Sequence, residues 1–140
     1  DTRAKTIDII EREVGEAFPG CEIFRAWTSQ MIIDKVNKRD HVQINNVKQA
    51  MEAMLEKGIK EVIVLPTHIL NGIENDRMRV DAYFYQAHFK RLAIAEPVLT
   101  GETEKDRLLE AVTGAWSKHL PEDQALLLMG HGTEHYGNPI

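Results

Sequence analysis

Apolar positions recur along the chain with two different periods, and together they predict the order of elements. In Thr2 to Ala17, Ile7, Ile10, Val14 and Phe18 fall three and four residues apart. That spacing predicts one helix face, which Pro19-Gly20 stops. Glu22 to Trp27 reads as a short strand. Thr28-Ser29 can cap a helix from about Gln30 to Lys38 with Met31, Ile32 and Val36 inward. Asn45-Asn46 precede a helix over Val47 to Lys57, apolar at Val47, Ala50, Met51, Met54 and Leu55 and stopped by Gly58. Glu61 to Pro66 is β-branched and almost wholly apolar, the pattern of a strand buried on both faces. A polar loop, Thr67 to Glu74, leads to a helix-compatible stretch, Asn75 to Phe89. Leu92 to Leu99 is a weaker strand with Pro97 near its end. Thr103 to His119 predicts a helix with Leu108, Leu109, Val112 and Trp116 facing in. Ala125 to Met129 is a second fully apolar strand, ending in Gly130-His131-Gly132.

Alternating helices and strands predict an α/β fold, a parallel sheet flanked by helices in a three-layer, Rossmann-like arrangement. The 140 residues suit one domain. The chain opens in a helix, where an α/β unit normally opens in a strand, and stops soon after a buried strand. A piece of a larger fold is therefore expected.

Composition narrows the class. Seventeen basic against 22 acidic residues give a formal charge of −5. A mixed, mildly acidic surface argues against a nucleic-acid groove. No apolar run approaches the roughly 20 residues of a membrane-spanning helix. The single cysteine, Cys21, cannot form an internal disulfide, which favours a reducing cytoplasm; it is read as a small buried hydrophobe. The phosphate-binding, dinucleotide-binding, nucleophile-elbow and Cys-x-x-Cys motifs are all missing from the sequence.

Ligands of open parallel sheets bind beyond the carboxyl ends of the strands. The polar residues with chemistry gather in the three loops expected there. His131 follows five apolar residues and is flanked by glycines that leave room for a ligand. Imidazole can act as a general base near neutral pH or ligate a transition metal. The competing reading is a histidine bonded to a loop carbonyl. His135, four residues on, suits a supporting or solvated role better than direct ligation. Glu74 could meet His131 across the top of the sheet, or could simply interact with a helix N-terminus. His68 could touch substrate or pack at a strand end, and the second reading is favoured. His41, His88 and His119 read as solvated, and Met31, Met51 and Met54 as core.

Three segments carry a family resemblance: Phe24-Arg25-Ala26-Trp27-Thr28-Ser29-Gln30-Met31-Ile32-Ile33, Pro66-Thr67-His68-Ile69-Leu70-Asn71-Gly72-Ile73-Glu74, and Leu128-Met129-Gly130-His131-Gly132-Thr133-Glu134-His135. In sequence, order and spacing they resemble the anaerobic sirohydrochlorin cobaltochelatases of the class II chelatase superfamily. The resemblance implies two similar α/β halves with a tetrapyrrole held between them. Residues 1–140 would be the first, N-terminal half, without its opening strand and without the second domain of the same chain. It implies Co2+ as substrate metal, sirohydrochlorin as the ring, no organic cofactor, and a place in anaerobic cobalamin synthesis. Iron insertion for sirohaem, or a tetrapyrrole- or metal-binding module without turnover, stand as alternatives. His131 matches the family's catalytic, metal-binding histidine and Glu74 a carboxylate implicated in metal binding. Thr28, Ser29, Asn71 and Gly72 match segments lining the substrate cleft. This chain alone is expected to be inactive. No nucleic acid and no membrane are implied as partners, and a homo-oligomer is left open. Because sirohydrochlorin is a polycarboxylate, Arg25, Arg77 and Arg79 are candidate anion contacts, with ordinary surface solvation as the equal alternative.

Overall fold

The computed structural model describes residues 5–117, 120, 123–125, 127 and 135. These residues form an α/β structure with five α-helices and a two-stranded parallel sheet. The described residues divide into two units, 1–57 and 58–140.

The first unit holds three helices: α1 (Ile7–Ala17), α2 (Gln30–Asp40) and α3 (Val47–Glu56). Helix α3 follows its sequence closely. The Asn46 side chain accepts from the Gln49 backbone N–H at 3.0 Å, and Gln49 accepts in return from the Asn46 N–H at 2.9 Å. This reciprocal box satisfies two amide donors that the first helical turn leaves open. Val47, Ala50, Met51 and Met54 are buried on one face. Gly58 then takes φ = 78°, a left-handed turn that side chains resist.

Helix α2 starts where Thr28-Ser29 predicts, with Ser29 as N-cap, but it is turned about its axis. Ile33 is buried, while Met31 is 78% exposed and Ile32 is also exposed, so Met31 is not core. The expected strand from Glu22 to Trp27 is reduced to a single parallel bridge between Trp27 and Asn46. Among the described residues only Trp27 finds a ladder partner, its N–H donating to the Asn45 carbonyl at 2.9 Å. Cys21 is exposed rather than buried. Helix α1 covers Ile7–Ala17 of the predicted Thr2 to Ala17, and none of its residues is fully buried.

The second unit is built on a β-α-β crossover. Strand β1 (Glu61–Val64) pairs in parallel with β2 (Arg91–Ile94), Glu61 opposite Arg91 and Val64 opposite Ile94. Between them lie α4 (Ile73–Tyr83) and a single 3-10 turn (Gln86–His88). The helix thus begins two residues earlier than expected and ends six earlier, and the 3-10 turn brings the chain back to β2. Val62, Met78, Ala82, Tyr85 and Phe89 form the core of this crossover. Burial of β1 is one-sided: Val62 is sealed but Ile63 is 70% exposed. A strand is buried on both faces only where layers cover both, and among the described residues only the Val62 side of β1 is closed to solvent.

Helix α5 (Glu102–Trp116) follows β2. Its Leu108, Leu109 and Trp116 stay at least partly open to solvent instead of facing a core. The predicted strand Ala125 to Met129 and residues His119 and His131 lie outside the described residues, except Ala125 and Leu127, which belong to no strand.

Candidate functional site

The loop leaving the carboxyl end of β1 is held in register with the segment leaving β2. Beyond the strands proper, the Ala95 N–H donates to the Val64 carbonyl at 2.9 Å and the Leu99 N–H to the Ile69 carbonyl at 2.9 Å. Parallel pairing therefore continues past the ladder, and residues 67–72 are delivered to the start of α4 by a supported backbone. Gly72 is the N-cap of that helix, and its carbonyl accepts from the Asp76 N–H at 3.0 Å.

The first turn of α4 carries two acids, Glu74 and Asp76. Both sit where the helix presents unsatisfied N–H groups and the positive end of its dipole, which favours negative charge. Glu74 is about half exposed and its Oε1 accepts from Arg77 Nη1 at 3.2 Å. Arg77 itself is largely in solvent, so this pair is a weak surface contact and leaves the carboxylate accessible.

Asp76 has a different neighbour. Its Oδ2 lies 2.8 Å from Nε2 of His135, 59 residues away in sequence. An ionised carboxylate only accepts, so the histidine donates Nε2–H. The His135 side chain is 4% exposed and Asp76 43%. A supporting role is what the spacing favours for His135, and a buried ring bonded to an acid has the form of one. Asp76 itself was not singled out from the sequence. The one local signal for it is an acid two residues beyond Glu74 in the same helical turn.

Asn71 and Asn75 are also linked. Asn75 is only 1% exposed, and its Nδ2 donates to Asn71 Oδ1 at 3.0 Å. Asn75 Oδ1 has no hydrogen-bond partner among the described residues. The bond fixes which way the Asn71 amide turns, leaving its own NH2 group directed away from Asn75.

His68 is half-buried at the strand end. Burial pushes its pKa below the usual histidine value, with the nearby Glu74 charge opposing that shift. The folded state thus prefers neutral His68. As pH falls through about 6.5, the unfolded chain takes up this proton first, so stability is lost on acidification and is fully present above that pH. His68→Gln should flatten the fall in thermal midpoint between neutral pH and pH 5. A slope identical to that of the native protein would assign the acid sensitivity to other groups.

The three arginines are each engaged within their own unit. Arg25 donates to both oxygens of Glu11 and, at 2.6 Å, to Asp8 Oδ1. Its hydrogen bonds to Glu11 outweigh partial burial and raise its pKa further above the ordinary arginine value. Arg25 thus ties the segment before Thr28 to α1, which is neither solvation nor an open anion contact. Arg79 reaches Glu96 with Nη2 at 3.2 Å, and its Nη1 is buried without a hydrogen-bond partner among the described residues. Thr28 and Ser29 belong to the first unit, at the bend that starts α2; Ser29 makes no side-chain capping bond. His41 and His88 are exposed, as expected. Among the described residues no three His, Cys, Asp or Glu side chains converge to hold a metal, and His131 lies outside them.

Sequence comparison decides the family. A model of the cobalt chelatase (CbiK) family matches residues 1–140. The chain belongs to that family. It is 30% identical over 136 residues to a sirohydrochlorin cobaltochelatase of Salmonella typhimurium, a match covering 97% of this chain and 51% of that protein. It is 28% identical over 136 residues to the sirohydrochlorin cobaltochelatase CbiKC of Nitratidesulfovibrio vulgaris, covering 93% of this chain and 46% of that protein. The chain therefore spans about half the length of the curated relatives it matches. No helix among the described residues is long and apolar enough to cross a membrane.

Proposed function

We propose that residues 1–140 are the N-terminal half of a sirohydrochlorin cobaltochelatase, a lyase that inserts Co2+ into sirohydrochlorin in anaerobic cobalamin biosynthesis. In this reading the complete protein is bilobal. Each lobe is a three-layer, Rossmann-like parallel sheet, and the first strand of this lobe and the second domain lie outside the present residues. The enzyme works in the cytoplasm with cobalt as substrate metal and without an organic cofactor.

The observation that carries the reading is the placement of Glu74. Its accessible carboxylate stands in the first turn of α4, immediately after the loop that leaves the carboxyl end of β1. That is the end of a parallel sheet where ligands bind. His135, four residues after His131 in the sequence, is bonded to Asp76 in the same turn.

Insertion of a divalent metal requires loss of two pyrrole N–H protons and removal of water from the ion. His131 takes up protons and ligates the arriving metal at different moments. Glu74 holds the ion and offsets its charge. Thr28, Ser29, Asn71 and Gly72 line the ring site, with Asn71 oriented by Asn75. A stiff site that binds the bent ring better than the flat one lowers the barrier to metal entry.

The test uses the full-length protein with sirohydrochlorin and Co2+, Fe2+ or Ni2+, alone and in competition, followed by the absorbance of the metalated ring. Cobalt should be inserted catalytically and preferred at matched free-ion activity. Faster iron insertion would reassign the enzyme to sirohaem synthesis. Ring binding with no spectral conversion for any metal would make it a carrier.

A further inference from the structure

We propose that Asn75 is a positioning residue that turns the amide of Asn71 so that its NH2 group is offered to a carboxylate of the tetrapyrrole substrate. The inference rests on the reading of the ring site given above. It deepens that reading by naming the chemistry of one contact and the residue that aims it.

Asn75 is an odd residue for its place. It shares one face of α4 with Met78 and Ala82, both buried, and is itself only 1% exposed. An apolar side chain there would simply extend the core. An amide loses its water on burial, and hydrogen bonds at best offset that loss. Asn75 Oδ1 has no hydrogen-bond partner among the described residues. Stability alone therefore gives no reason for an amide at this position. The bond that it does make gives one: its Nδ2 donates to Asn71 Oδ1 at 3.0 Å.

That bond sets a polarity. A primary amide has an acceptor on one side and two donors on the other. With Oδ1 of Asn71 engaged by Asn75, the NH2 side is left, and it makes no hydrogen bond among the described residues. Asn71 is only partly buried, so this donor is not sealed from solvent.

The location gives the donor a use. Asn71 directly precedes Gly72, the N-cap of α4, and lies three residues before Glu74. Its loop leaves the carboxyl end of a parallel strand, the end at which ligands bind. The proposed ring carries several carboxylates, and each can accept a charge-assisted hydrogen bond. Glu74 and Asp76 already make this helix start acidic, and Arg77 is drawn to Glu74 at 3.2 Å. A cation in place of Asn71 would compete for Glu74, the proposed metal ligand. A neutral amide can hold a substrate carboxylate and leave Glu74 free.

Asn71→Asp in the full-length protein is the direct test. The aspartate keeps an oxygen for Asn75 to donate to and puts a charged oxygen where the NH2 group stood. KM for sirohydrochlorin should rise about ten- to a hundredfold, the loss of a hydrogen bond to a charged group. The change in kcat should stay under about threefold, and binding of Co2+ alone, measured by calorimetry, should not weaken. Raising the salt from about 0.05 M to about 0.5 M should shrink the Asn71→Asp penalty, because screening relieves repulsion. The penalty of Asn71→Ala should stay constant over that range. Asn75→Ala should raise KM about two- to tenfold, since a freed Asn71 must then be ordered on binding. In an Asn71→Ala background the same change should add nothing to KM.

A native KM in Asn71→Asp would overturn the proposal. So would an Asn75→Ala effect on KM that is equally large with and without the Asn71 amide, because Asn75 would then act on the fold and not through Asn71. If either happens while His131→Ala is inactive, the proposed site stands and only this contact falls. If the native protein neither binds nor metalates sirohydrochlorin, the reading beneath it falls as well.

Discussion

In the full-length protein, His131→Ala should reduce the rate of cobalt insertion by at least about a hundredfold, the lower end of what a positioned general base contributes. The loss should appear in kcat. KM for sirohydrochlorin should change little, because the role proposed for His131 concerns protons and metal rather than holding the ring. An alanine variant loses two functions at once, acceptance of pyrrole protons and a nitrogen ligand, so the effect should exceed that of removing a base alone. Exogenous imidazole should restore part of the rate, since deletion opens space between two glycines. Absorbance of the metalated ring in single-turnover and steady-state experiments measures both. A variant that inserts cobalt at the native rate would remove His131 from the chemistry and with it the proposed site.

That expectation concerns a residue found by local pattern, and local pattern served unevenly. Helix α3 was fully legible. Its apolar positions repeat at helical spacing, Asn46 and Gln49 are three apart as a capping box requires, and Gly58 closes it in a left-handed turn. Helix α2 was legible in extent but not in rotation. Met31, Ile32 and Ile33 are three consecutive apolar residues, so periodicity does not decide which faces inward, and packing chose Ile33.

The strand expected at Glu22 to Trp27 failed for a different reason. A strand exists through its ladder, and among the described residues only Trp27 has a bridge partner, Asn46, 19 positions along. Ile63 shows the same limit, because an all-apolar run cannot say how many faces of a sheet are covered. The Leu108, Leu109, Val112 and Trp116 pattern of α5 is amphipathic without any fully buried residue.

The position of Glu74 was legible because it follows a strand and a loop and opens a helix. The Asp76–His135 contact was not. Pairing across 59 residues leaves no period in the sequence, and an acid near a helix start is already accounted for by the dipole. Arg25 was misjudged because its two acids lie on α1, a full helix earlier, at positions that read as ordinary solvent-facing charge.

Glu74→Gln separates the functional from the ordinary reading of that residue. If Glu74 served only the helix dipole and Arg77, the substitution would cost well under about 1 kcal/mol and leave catalysis alone, since both contacts are half in solvent. As a metal ligand it should do the opposite. Glutamine preserves size and helix propensity, so the thermal midpoint should hold, while Co2+ affinity and kcat fall together by about tenfold or more for loss of a ligating charge. Burial lowers the His68 pKa and the Glu74 charge opposes it, so neutralising Glu74 should lower that pKa further. The His68 ring resonances, followed by NMR across pH, report this independently of turnover. Weakened cobalt binding with an unchanged midpoint would make Glu74 a ligand, and the reverse pattern, a lowered midpoint with native cobalt insertion, would return it to the helix.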